Sequence, residues 1–549
     1  MTVEGDAFDT GRGAAFDVVV VGSGGAGMTA ALAAAHSGLS AVVVEKAAVY
    51  GGSTARSGGG LWIPGNEVLG GGADDGTYLA HVAGPEVPLA RREAFLKYGP
   101  EMLAFVRRRT PLDFAWVPGY PDYHPEAPGG LAEGRSIEPK PLDTRLVGED
   151  VETLAAPYRA APNGMAITAV DYRWLSLGVR HPRSILVGMR LGAGSAVDRL
   201  RKRRRLTMGQ ALAAGLRAGL RKAGVPVLLD TALTGLIVDD GRVAGIRCGD
   251  REIRARVGVL LASGGFEQNE RMRRSYQEIG IEWTVGAAGN TGEGIEAGEK
   301  LGAALDLMDE AWWGPSLPLT GGPYFCLAER NLPGSLIIDG TGRRFVNEAA
   351  PYVDAVHAML GRDGSGQPHL PAWLVTDQSY RDRYLFAGRA PRAPLPRRWF
   401  DAGVAHRADS LSSLAGRIGV DPSALHATVE RFNGFAEHGR DDDFGRGDSA
   451  YDKYYGDPRQ RPNPCLGRLA RPPFYAFSLV PGDLGTKGGL RTDEHARVLR
   501  ADGSAIAGLW AAGNASASVM GRGYAGAGAT LGPAMTFGYL AALDMATSS

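Results

Sequence analysis

Cysteine is scarce in this chain: three among 549 residues, Cys248, Cys326 and Cys465, far apart and without a C-x-x-C pair. That excludes a disulfide scaffold and a cysteine-held zinc or iron–sulfur centre, and it suits a reducing cytoplasm. Net charge is absent too, because 60 basic and 60 acidic side chains cancel. Phosphate binding leaves a basic footprint, so nucleic acid is not an expected partner. No apolar run approaches the roughly 20 residues that cross a bilayer, and the acidic, polar start before Phe16 leaves no room for a signal peptide. The acidic run Asp441-Asp442-Asp443 lacks the ligand spacing of a calcium loop and reads as solvated, so no metal site is expected. Histidine is missing between Gly51 and Gly60.

Glycine, by contrast, is abundant, at 80 residues, about twice the usual share of roughly 7%. Its most informative cluster follows the β-branched run Asp17 to Val21, as Gly22-Ser23-Gly24-Gly25-Ala26-Gly27. A buried parallel strand, a tight glycine turn and a helix are the parts that hold a dinucleotide. Gly22 permits the turn, Gly24 lets backbone approach a pyrophosphate, and Gly27 lets the helix pack against its strand. The helix N-terminus offers free N–H groups to the phosphates. A second strand, Ala41 to Val44, ends at Glu45, where a carboxylate can accept ribose hydroxyls. Gly51-Gly52-Ser53-Thr54 and the run Ser57-Gly58-Gly59-Gly60 resemble the loop of FAD enzymes that lies along the cofactor towards its isoalloxazine.

Further nucleotide-type elements lie far away in sequence. Val257 to Glu267 is an apolar strand running into Ala262-Ser263-Gly264-Gly265, preceded by a hairpin-like stretch, Leu233 to Arg247, with its turn at Asp239-Asp240-Gly241. Asn290-Thr291-Gly292-Glu293-Gly294 leads into a helical pattern from Ile295 to Leu305. Near the C-terminus, Gly513-Asn514 closes a strand, and Gly526 to Pro533 opens a helix predicted from Ala529 to Met545, with Pro533 tolerable near its first turn. From Trp312 to about Val480 the texture becomes irregular and proline-rich. A chain this long needs two or three compact units. The predicted fold is α/β: a Rossmann-type domain over 1–311 and 481–549, interrupted by an inserted catalytic domain at 312–480. Within the insert, Asp421-Pro422 opens a helix with Leu425, Val429 and Phe432 on one face, ending near Gly439.

This arrangement resembles the fumarate reductase and succinate dehydrogenase flavoproteins, and within them the 3-ketosteroid Δ1-dehydrogenases. The resemblance extends over nearly the whole chain. It is carried by GGSTARSGGGLWIPGN from Gly51, DYHPE from Asp122, NEAAPYVDA from Asn347, PGDLGTKGGL from Pro481 and MGRGYAGAGATLGPAMTFGYLAA from Met520. It implies bound FAD, a 3-ketosteroid substrate and a quinone or other electron acceptor. It also implies cofactor contacts from Lys46, Ala232, Ala262, Gly264, Asn290, Gly292, Gly513, Asn514, Ala529, Thr530 and Leu531, beside those of the first glycine turn, Glu45, Gly52, Ser53, Thr54, Ser57 and Gly58. Covalently flavinylated relatives carry a linking histidine between the positions matching Gly51 and Gly60, so the FAD here is expected to be non-covalent.

In that family, removing hydrogens from C1 and C2 needs donors on the C3 oxygen, where enolate-like charge develops. The resemblance assigns these to the Tyr524 hydroxyl and the Gly528 N–H, the base for the C2 proton to Tyr352, and its assisting phenol to Tyr123. Tyr120 could share the last role, and His124 reads as a loop contact. A tyrosine base, with an ordinary pKa near 10, needs tuning or a relay.

Three alternatives remain at this level: a Δ4-(5α)-dehydrogenase, a fumarate-type acid reductase and a flavin-bearing electron carrier. An acid reductase must clamp a dicarboxylate with Arg and His. The stretch from Asp309 to Phe325 offers Trp312, Trp313, Pro315, Leu317 and Leu319 instead, which suits an apolar fused-ring substrate. Finally, residues 157–205 mix Trp174, Leu175, Leu177, Ile185, Leu186, Val187 and Met189 with arginines and end in the basic block Arg201 to Arg205. The bland expectation is a surface excursion of helices with solvated charges. The sharper one is a peripheral patch resting on anionic lipid at the inner face of the membrane.

Overall fold

The computed structural model describes residues 14–72, 74 and 76–548. Its first sheet runs, from one edge, Arg497–Leu499, Ala505–Ala511, Arg251–Leu261, Ala14–Val21, Ala41–Val44 and Val227–Leu228. All neighbouring pairs are parallel except the first. Val18, Val20 and Val43 face one hydrophobic layer, and Val19, Val21, Val42 and Val44 face another. Burial on both faces explains why these strands are continuously β-branched rather than alternating. On one face the helix Gly25–His36 packs against Leu531–Thr547 and Met208–Lys222. A Cβ on Gly538 would sit 2.4 Å from the Ala26 carbonyl oxygen, so the first two helices meet backbone to backbone.

The hairpin Gly235–Asp239 and Arg242–Cys248 forms as expected, with Asp240 and Gly241 both left-handed, as a two-residue turn requires. Three boundaries differ from the sequence reading. The strand before Ala262 is Arg251–Leu261, beginning earlier because its first residues pair with the hairpin. The helix expected from Ile295 to Leu305 is Glu293–Glu299 and stops before a turn at Gly302, whose φ is +84°. Leu301, Ala303 and Leu305 keep the apolar pattern going because they pack on the sheet after the helix has ended. The C-terminal helix is Leu531–Thr547, which puts Pro533 at its third residue.

A second, antiparallel sheet runs Tyr324–Phe325, Ala311–Leu317, Phe474–Thr486, Ala372–Asp377 and Ser335–Ile338, with Ala405–Ala408 also paired to the long strand. The helix Pro422–His438 packs there through Leu425, Val429 and Phe432. Asp421 accepts the Ser423 N–H at its start and Gly439 turns left-handed at its end. The acidic loop is tied down by arginines: Arg344 to Asp441, Arg431 to Asp443 and Arg440 to Asp442.

The segment 157–205 forms the helices Ala169–Leu175 and Pro182–Leu200. A capping box between Thr168 and Asp171 starts the first of them. Among the described residues no helix is long and apolar enough to cross a membrane.

Candidate active site

The separated glycine turns converge at the carboxyl ends of the parallel strands, where open α/β sheets bind ligands. Ala262 N–H donates to the Val21 carbonyl and Ala512 N–H to that of Leu261. Gly22 has φ +107°, and a Cβ there would lie 2.3 Å from the Ala262 oxygen; one on Gly27 would lie 2.0 Å from the Gly22 oxygen. Gly24 is different, because its Cβ would meet only Thr54 Oγ1 at 3.5 Å, so the space before it is open to a ligand. Thr54 Oγ1 accepts the Gly25 N–H at 2.9 Å. Ala26 belongs to the helix's first turn.

Glu45 accepts the Ser23 N–H at 3.1 Å and its hydroxyl at 2.7 Å, and Ser23 Oγ in turn accepts the Gly51 N–H. Lys46 reaches Thr291 Oγ1 at 2.6 Å and Glu293 at 2.5 Å. Thr231 N–H donates to the Glu45 carbonyl, which brings the exposed Ala232 to the same edge. Ser53 Oγ accepts the Ala287 N–H and an Asn290 amide hydrogen, and a Cβ on Gly264 would lie 2.4 Å from Asn290 Oδ1. Ser57 donates to the Thr54 carbonyl, beside Gly52 and an unobstructed Gly58. Gly292 caps the helix Glu293–Glu299, and a Cβ on Gly513 would touch the Ala26 methyl at 3.4 Å. Asn514 accepts the Trp312 indole N–H at 3.1 Å. Ala529, Thr530 and Leu531 lead into the last helix. The buried Ser263 hydroxyl has no partner among the described residues, which together with the open space at Gly24 fits a nucleotide cofactor.

At the join between the two sheets the tyrosines assemble. Tyr123 donates its hydroxyl hydrogen to the Tyr352 hydroxyl at 2.9 Å. The rings of Tyr123, Tyr352 and Tyr524 lie 5.0 to 5.5 Å apart, edge to face. Tyr352 begins the helix Tyr352–Met359 of the inserted segment. Tyr123 and Tyr524 come from loops bolted together through one atom, the Ala525 carbonyl, which accepts the Tyr123 N–H at 3.0 Å and the Tyr78 hydroxyl at 2.7 Å. The Tyr524 hydroxyl is 3.0 Å from Thr530 Oγ1. Gly528 has φ +100°, a Cβ there would come within 2.5 Å of Gly60, and its N–H has no acceptor among the described residues. Burial pushes the Tyr123 and Tyr352 phenols well above their ordinary pKa, and raises Tyr524 as well.

Around these sit rings that the sequence reading did not single out: Tyr451 at 4.8 Å from Tyr123, and Phe325 at 5.1 Å from Tyr352. Trp312, expected as apolar lining, packs 4.8 Å from Tyr524. Tyr120 stacks on Tyr454, and its hydroxyl oxygen accepts the Tyr455 hydroxyl hydrogen at 3.3 Å. The signal was available as three tyrosines within Tyr451 to Tyr455. His124 Nε2 lies 3.6 Å from a carboxylate oxygen of Asp354, the residue two beyond Tyr352.

A family profile described as FAD binding domain matches residues 17–531. A 3-oxosteroid 1-dehydrogenase of Mycolicibacterium smegmatis is 54% identical over 562 residues, covering 98% of each chain. One from Mycobacterium tuberculosis is 56% identical, covering 97% of this chain and 98% of its own. The crystal structure of a 3-ketosteroid Δ1-dehydrogenase from Sterolibacterium denitrificans, in complex with 1,4-androstadiene-3,17-dione, superposes with a TM-score of 0.91 at 38% identity, over 97% of this chain and 100% of that one. The cofactor is FAD, the fold is the expected mixed α/β one, and the chain belongs to the 3-oxosteroid 1-dehydrogenase family of FAD-binding flavoproteins.

Proposed function

We propose that this enzyme dehydrogenates 3-ketosteroids between C1 and C2. The observation that carries the reading is the meeting of Tyr123, Tyr352 and Tyr524, supported by Gly528, four residues beyond Tyr524, whose N–H has no acceptor among the described residues. Tyr524 and Gly528 hold the C3 oxygen, and charge developing there is stabilised by donors already in place. Tyr352, having first lost its own proton to solvent, takes the C2 proton as a phenolate and becomes a neutral phenol, and Tyr123, donating to its oxygen, stabilises that phenolate before the transfer. Bound FAD supplies the acceptor for the C1 hydride, to be reoxidised by a quinone or other acceptor. Residues 312–480 form the substrate-bearing unit and 1–311 with 481–549 the cofactor-bearing one. The side chains meeting at the centre are phenols, a phenyl and an indole, which suit fused apolar rings better than a dicarboxylate. The test is product identification after anaerobic reaction with androst-4-ene-3,17-dione and an acceptor dye. A 1,4-diene is expected; reduction of an unsaturated acid without steroid turnover would refute the reading.

A second proposal concerns the excursion. Ile185, Leu186, Met189, Val197 and Leu200 of the helix Pro182–Leu200 are exposed, Leu200 at 85%, and Val179 beside them at 72%. Leu186, Met189, Val197 and Leu200 recur on one helical face, and residues 201–205, all basic, are exposed directly after it. An apolar stripe ending in cations is complementary to an anionic lipid surface, where the helix would lie in the interface.

A further inference from the structure

We propose that Lys487 is a positioning residue that aims Tyr524, an inference that rests on the reading of Tyr524 as a donor to the C3 oxygen. Lysine is almost never fully buried without a carboxylate partner, yet Lys487 is 0% exposed. Its ammonium donates to two backbone carbonyls, those of Arg522 at 3.1 Å and Gly523 at 2.6 Å, the two residues directly before Tyr524. It also lies 4.6 Å from the centroid of the Trp312 ring, which packs against Tyr524.

The anchor itself is rigid. Lys487 follows directly on the strand Phe474–Thr486, and its N–H donates to the Glu310 carbonyl at 3.0 Å. Glu310 in turn accepts from Trp313, His357 and Arg522 at 2.8 to 3.1 Å, and Arg522 also holds Asp309. The turn before Tyr524 is thus clamped twice, by its Arg522 side chain and by its own carbonyls.

The loop needs the clamp. Glycines at 521, 523, 526 and 528 surround Tyr524 and leave the backbone little intrinsic stiffness. Burial pushes the Lys487 ammonium down to about 8, against the pull of Glu310 and Asp354, with Arg522 adding to the repulsion. A methionine would fill the space without a desolvated charge, but it would leave both carbonyls unpaired and the turn free to shift. A displacement of about 1 Å at a reacting centre costs on the order of 10²-fold in rate.

The test is a double-mutant cycle on purified FAD-loaded enzymes: parent, Lys487→Met, Tyr524→Phe and the double variant. The limiting rate of steroid-driven flavin reduction and the steroid Kd are both measured. Lys487→Met should lower the rate about 10- to 100-fold in the parent, with Kd changed no more than about 3-fold, and less than about 3-fold in the Tyr524→Phe background. Lys487→Arg, keeping charge and donors, should recover part of the loss. Equal losses in both backgrounds would overturn the positioning role alone. A Tyr524→Phe enzyme at the parent rate would instead remove the donor reading and this inference with it. Should Lys487→Met not fold with FAD, Lys487→Gln takes its place in the cycle with the same two readings.

Discussion

Replacing Tyr123 by phenylalanine deletes one oxygen and little else. The ring keeps its contacts with Tyr451 at 4.8 Å and Tyr524 at 5.0 Å, and the loop keeps its backbone bond to Ala525. What disappears is the 2.9 Å hydrogen bond to Tyr352. A hydrogen bond to a charged group contributes about 1.5 to 3 kcal/mol, and 1.4 kcal/mol is a factor of about ten. Proton abstraction should therefore slow by roughly 10- to 150-fold, and the Tyr352 pKa, already raised by burial, should climb further. The sign of the pH effect follows. A phenol whose pKa is raised is held neutral, and its basic form gains about tenfold per pH unit below that pKa. The parent should speed up from neutral towards alkaline pH, and Tyr123→Phe should need a higher pH for the same rate. Stopped-flow bleaching of the oxidised flavin by steroid, recorded across pH, measures both. A parent rate that is flat with pH, or a Tyr123→Phe enzyme at the parent rate, would refute the role given to this hydroxyl pair.

Other outcomes separate the remaining roles. Tyr352→Phe should nearly stop steroid-driven flavin reduction while FAD and steroid still bind, whereas Tyr524→Phe, which leaves the Gly528 N–H, should cost roughly 10²- to 10³-fold; comparable residual rates in the two would deny the division between base and donor. Acid precipitation should release the flavin into the supernatant, and colour kept in the pellet would disprove non-covalent binding. Glu267 is raised to about 7, first by burial and then by Asp483; its stabilising contribution is present below its unfolded pKa and is lost as pH rises towards 7, on the order of 3 kcal/mol. The melting temperature of Glu267→Gln should therefore lose less than the parent's between about pH 4.5 and 7, and parallel curves would contradict this. Vesicles with anionic lipid should float the enzyme at low salt and release it as salt is raised; unchanged flotation after Leu186, Met189 and Leu200 are all replaced by serine would reject the lipid-facing helix.

Much of the cofactor half was legible in the sequence because its determinants are local. A strand buried on both faces must be apolar throughout, and a turn such as Gly22, with a carbonyl 2.3 Å from where a Cβ would stand, admits only glycine. Asp421 and Gly439 bracket their helix by short-range hydrogen bonding and a left-handed residue, so its ends could be read directly. The resemblance singled out Tyr123, Tyr352 and Tyr524. Neither spacing nor periodicity could join three residues separated by some 400 positions, and only the packing of the inserted sheet on the first domain sets their rings 5.0 to 5.5 Å apart. Tyr451 showed only as one of three clustered tyrosines, and no pattern marked Lys487 as a clamp. A lysine in a glycine-rich run reads as a solvated charge, and it becomes a buried clamp only because a distant turn brings two carbonyls to its ammonium. Local chemistry wrote the cradle into the sequence, while the catalytic centre depends on long-range contacts that exist only in the folded chain.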